Sequence, residues 1–140
     1  MEEEFVKYTE ALALKELGFD EPCFYQYVRD FNNDGELIPI ISETNHPILR
    51  DNNQVSLCSG GDCFAAPLKQ QAFRWFRERY NIEVAVACFY SKRLNIPYEE
   101  RQYHCHIIRD GVTSKGPKYK TYEEAELACL KKLIEIVKQK

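Results

Sequence analysis

The segment from Ile82 to Tyr90, IEVAVACFY, constrains the fold more than any other stretch of the chain. In an extended strand Ile82, Val84, Val86 and Cys88 fall on one face and Ala85, Ala87 and Phe89 on the other, so both faces are apolar. That pattern predicts a central strand covered on both sides, and it requires the rest of the chain to supply neighbouring strands and packing helices. Directly before it, Pro67 opens PLKQQAFRWFRERYNI, a proline at the first helical position, where its missing N–H costs nothing. Leu68, Ala72, Trp75, Phe76 and Tyr80 form the apolar stripe of this helix, Lys69, Arg74 and Arg77 lie opposite, and Asn81 is expected to end it in the left-handed conformation. After the turn-forming residues Asn95 to Glu100, RQYHCHIIRDG alternates Tyr103, Cys105 and Ile107 against Gln102, His104 and His106, which predicts an antiparallel strand with one dry and one polar face. The chain closes on a helix: Thr121 and Glu124 form a capping box, and Ala125, Ala128, Leu130, Leu133, Ile134 and Val137 form its stripe.

The first half reads in the same way. YTEALALKELGF places Ala11, Leu14 and Leu17 on one helical face, with Thr9 as the expected N-cap and Gly18 followed by Phe19 as the stop. CFYQYVRD and ELIPIIS, joined through Asn32 to Gly35, predict a β-hairpin whose second strand lies at a sheet edge, because Pro39 cannot donate to a ladder. From Ser42 to Ala66 the chain is rich in loop formers, with a small hairpin of VSLC and CFAA expected around Ser59 to Asp62. The fold class that results is α+β, a mainly antiparallel sheet with about three helices in the order α-β-β-(long loop)-α-β-β-α. At 140 residues the chain is expected to form a single domain over 1–140. Its core should include Leu14, Leu17, Trp75, Phe76, Val84, Val86, Ile107, Leu130 and Ile134.

A content of 44% hydrophobic and 29% charged residues excludes a disordered chain. MEEEFVKYTE has neither a basic region nor an apolar run, and no stretch is long enough to span a bilayer, so no membrane association and a cytoplasmic location are expected. Free thiols are the matching expectation for the six cysteines, with Cys88, Cys105 and Cys129 as small buried hydrophobes and a CSGGDC disulfide as an alternative that the cytosol disfavours.

Three segments, TEALALKELGFDEPC, AAPLKQQAFRWFRERYNI and YKTYEEAELACLKKLIEI, together resemble small uncharacterised proteins found in Bacteroidetes genomes and in their phages and integrated elements. The resemblance covers the three helices and their flanks and leaves Asn32 to Cys63 unmatched. It implies a shared fold and a bacterial or phage cytoplasmic accessory protein, and it brings no activity or catalytic residue.

Candidate chemistry is sparse. Cys58 and Cys63, with His104 and His106 on one strand face, have the ligand types of a tetrahedral zinc site, although the spacing is not a standard one; otherwise they are loop thiols and polar residues on a wet face. No G-x-S-x-G, phosphate loop, H-E-x-x-H or G-x-G-x-x-G is present, so a non-catalytic role without a cofactor is expected. Charge is unevenly distributed: residues 1–63 hold 4 basic against 13 acidic side chains, and residues 64–140 hold 15 against 9. Lys69, Arg74, Arg77, Lys92, Arg93 and Arg101, with Arg109, Lys115, Lys118 and Lys120 further along and Tyr90, Tyr98, Tyr103 and Tyr119 nearby as stacking surfaces, are the candidates for contact with nucleic acid. The carboxyl half distantly looks like a double-stranded-RNA-binding domain, but Glu123, Glu124 and Glu126 stand where that family carries phosphate-gripping lysines. Contact with a macromolecular partner, a protein or a second copy of the chain, is the leading functional expectation, and nucleic-acid binding through the basic half is the alternative.

Overall fold

A chain with three helix stripes and several alternating segments must give each stripe a partner to pack on, and here the described strands form two three-stranded sheets. The computed structural model describes residues 2–29, 34–41, 47–52, 62–89 and 101–139. They form α1 (Tyr8–Glu16), β1 (Tyr25–Arg29), β2 (Asp34–Pro39), β3 (Asp62–Ala65), α2 (Lys69–Tyr80), β4 (Ile82–Phe89), β5 (Gln102–Arg109), β6 (Val112–Tyr119) and α3 (Tyr122–Lys138). The class is α+β with wholly antiparallel sheets, in an order close to the expected one. The chain divides into two compact units, Met1–Gln71 and Ala72–Lys140, with the boundary inside α2.

In the first unit the sheet order is β2-β1-β3. Pro39 lies on the edge strand, as its missing donor requires. β3 is the expected CFAA strand, but its described partner is β1, with Tyr27 opposite Phe64; the VSLC segment lies outside the described residues. α1 starts two residues earlier than a Thr9 cap predicts: Lys7 is the N-cap and provides no side-chain cap. Its other end follows the sequence reading. Gly18 takes φ +92°, its N–H donates to Lys15 O, and the N–H of Phe19 donates to Leu14 O, the two bonds of a Schellman stop, while the Phe19 ring is buried. Tyr8, Tyr27 and Phe64 pack with ring centroids 5.1–5.9 Å apart, and the Tyr27 hydroxyl donates to Val6 O at 2.7 Å. Buried Asn52 joins two segments: its amide donates to Phe19 O at 2.8 Å and accepts from Ala65 N at 2.7 Å.

In the second unit the order is β4-β5-β6, and α3 covers one face. Here the expectation of a central IEVAVACFY strand is corrected, because β5 is central and β4 has only one strand partner among the described residues. Val84 and Val86 are half-buried and Ala85 is exposed. Alanine carries so little apolar surface that a Val/Ala alternation needs cover on its valine side only. Of the expected core, Leu14, Trp75, Phe76, Ile107, Leu130 and Ile134 are buried, and Leu17, Val84 and Val86 are half-buried. Trp75, Phe76 and Tyr80 form an aromatic cluster along α2, and Asn81 ends that helix at φ 56°. The free-thiol expectation for Cys105 and Cys129 is also corrected: both are buried, but they form a disulfide between β5 and α3, with Cα atoms 5.6 Å apart.

The Thr121 hydroxyl accepts from Glu124 N at 3.1 Å at the start of α3. Thr121→Ala is expected to lower stability by about 1 kcal/mol, read as a shift in urea midpoint, whereas Thr121→Ser should leave it nearly unchanged.

Candidate functional site

β5 has two faces of different chemistry. Tyr103, Cys105 and Ile107 face α3, as the Tyr103–Tyr122 edge-to-face contact and the Cys105–Cys129 bond show. Gln102, His104, His106 and Ile108 therefore occupy the opposite face, which no described helix of this unit covers. The two imidazoles lie together there, with ring centroids 4.5 Å apart and Nε2 atoms 2.6 Å apart, so one ring donates a hydrogen bond to the other. Nδ1 of His104 is shielded from solvent and has no hydrogen-bond partner.

The neighbouring strands decide what surrounds the pair. On β4, Ala87 stands opposite His104 and Ala85 opposite His106, and these small side chains leave room beside the rings. On β6, Lys118 stands opposite His104 and Lys115 opposite His106. Positions 115 and 118 have opposite parity and would point to opposite faces of a regular strand. A bulge at Gly116 and Pro117, two residues set against Cys105 alone, shifts the register by one and brings both lysines to the histidine side. The electrostatics follow: partial desolvation of the ring, then His106, Lys115 and Lys118, hold the His104 pKa below its ordinary value.

The residues singled out from sequence are dispersed. Arg74 and Arg77 are exposed on α2, Lys69 is 3% exposed and engaged in an interaction, and Arg101 is half-buried just before β5. Lys92 and Arg93 lie outside the described residues. Of the four zinc candidates, His104 and His106 are brought together; Cys58 lies outside the described residues, and Cys63, on β3 in the first unit, is disulfide-bonded and has no thiolate to offer. Among the described residues no group of three or more His, Cys, Asp or Glu side chains is arranged to hold a metal ion. Cys23 is a free buried thiol pushed up to about 12, chiefly by burial and then by Glu21, which makes it a poor nucleophile at neutral pH.

In the sequence Lys115 and Lys118 stand among the other basic residues, and nothing in strand alternation connects them to the histidines. The connecting signal is Asp110-Gly111, both at positive φ, a two-residue type I′ turn that pairs Arg109 with Val112 and fixes the register of β6. By count, the Met1–Gln71 unit holds 5 basic against 13 acidic residues and Ala72–Lys140 holds 14 against 9, so the charge asymmetry follows the structural division. Comparison with protein-family models, with curated proteins and with solved structures finds no match to this chain.

Proposed function

We propose that the protein acts without catalysis, by contact with a macromolecular partner, and that the open face of the β4-β5-β6 sheet is the contact surface. The observation that carries this reading is the strip of Ala85, Ala87, His104, His106, Lys115 and Lys118 on a sheet whose other face is filled by α3. Such a strip combines low relief with hydrogen-bonding groups and positive charge, which an acidic partner would complement. No described helix is long and apolar enough to cross a membrane. The resemblance of the three helical segments supports an accessory role in a bacterium or phage. A cytoplasmic setting belongs to the same proposal, and the Cys105–Cys129 disulfide weighs against it, because cytosolic reductants keep most thiols reduced.

A photo-crosslinking residue at Ala85 is expected to give a discrete adduct in cells, while the same residue at exposed Lys132 on α3 gives none. Equal labelling at both positions, or none at either, would sink the reading. The second reading, nucleic acid, is favoured by the basic balance of the Ala72–Lys140 unit. It predicts binding of labelled RNA or DNA that weakens with salt, the log–log slope steepening by about 0.7 to 0.9 per phosphate neutralised. Anisotropy titrations at two salt concentrations test it.

A further inference from the structure

We propose that the His104–His106 pair and the two lysines beside it form a binding site for the phosphodiester groups of a nucleic acid, and that this strip of sheet, not the arginines of α2, is where the backbone is held. The inference rests on the nucleic-acid reading and adds the location and chemistry of the site. Lys115 and Lys118 are both exposed, on the same face, opposite adjacent same-face positions of β5. The bulge at Gly116 and Pro117 protects an exposed edge strand from further pairing, and it also brings the second lysine to this face. The imidazoles contribute donors of another kind. In a neutral pair one Nε2–H is given to the partner ring; with His106 as the acceptor, its Nδ1 carries the remaining N–H, whereas Nδ1 of His104 is shielded from solvent. An oxyanion accepts from such a donor while the ammonium groups supply charge. Among the described positions of the flanking strands, β6 presents Lys115 and Lys118 beside the rings, β4 presents Ala85 and Ala87, and Glu83 lies opposite Ile108, one same-face position further along. The alanines leave a trough along the histidines for a backbone to lie in.

By contrast, the α2 arginines share their exposed surface with Glu78. The Cys23 thiol is buried, and the exposed apolar residues Phe24, Ile41 and Leu49 of the first unit have nothing near them that identifies an occupant.

The test uses the full chain and a short labelled single-stranded oligonucleotide, titrated across a salt series. Lys115→Ala with Lys118→Ala is expected to weaken binding roughly tenfold and to reduce the log–log salt slope by about 1.4 to 1.8, two phosphate contacts' worth. Arg74→Ala with Arg77→Ala should leave the slope unchanged. In the wild-type chain the imidazole NMR signals of His104 and His106 should move on addition of the same oligonucleotide, a readout that needs no variant. Binding whose slope falls only in the α2 variant, or that leaves both imidazoles unmoved, overturns the site and leaves the nucleic-acid reading standing. No binding by the wild-type chain overturns both.

Discussion

Replacing Cys105 and Cys129 together by alanine is expected to lower the stability of the Ala72–Lys140 unit by about 3 to 4 kcal/mol. The bond closes a loop between positions 24 apart in sequence, and loop-closure entropy removed from the unfolded chain is worth that much for a loop of this length. The loop holds β6, the turns on either side of it and the start of α3, so an unfolded chain without the bond gains freedom over all of them. Trp75, the chain's one tryptophan, is buried in this unit and reports the change directly. Urea titrations followed by its fluorescence, with and without reductant, should show a lower midpoint for the variant and for the reduced wild type. Coincident curves for all forms would show that the bond does not constrain the unfolded chain.

The second large effect is expected at Leu133. Its side chain is fully buried on the covered side of α3, and truncation to alanine at such a site costs about 2 to 5 kcal/mol. Leu133→Asp adds an unpaired carboxylate to an apolar layer, enough to unfold a unit whose total stability is of the order of 5 to 15 kcal/mol at most. The cooperative Trp75 transition should be absent in Leu133→Asp and present, at lower denaturant, in Leu133→Ala. Val86→Asp provides the contrast. From IEVAVACFY alone it should be equally disruptive, but Val86 is half-buried on a strand at the edge of the described sheet, where a carboxylate can turn to water. A loss of about 1 to 3 kcal/mol with a retained transition is expected there, and complete unfolding would restore the central-strand reading.

Which parts of the fold could be read from sequence depended on whether the determining interactions were local. The Thr121 cap, the Gly18 stop, the Asn81 terminus and the edge placement of Pro39 each depend on backbone chemistry within a few residues, and each stands where the sequence puts it. β6 is not legible in the sequence because VTSKGPKY is exposed almost throughout and has no apolar alternation; only the Asp-Gly turn before it announces a hairpin. The pairing of β3 with β1 brings together residues such as Tyr27 and Phe64, a long-range choice that no local pattern encodes. IEVAVACFY misled because periodicity scores alanine as apolar, whereas burial follows area. For the site, alternation placed His104 and His106 on one wet face, and the structure puts them there. The lysines could not be added by the same rule, since a regular strand would have separated them.

The bulge at Gly116 and Pro117 acts as a phase shift in the period-two reading of β6, and its effect extends past the kink itself. Every residue on one side of it is out of step with every residue on the other. Deleting Gly116 or Pro117 would remove the bulge and leave the two lysines two positions apart, still on one face; straightening the strand with both residues kept would instead send one lysine to the side of the sheet that α3 occupies. Pairing, rather than composition, is therefore what presents the charge: a strand of the same length and sequence paired without the bulge would retain both lysines without presenting them on one surface.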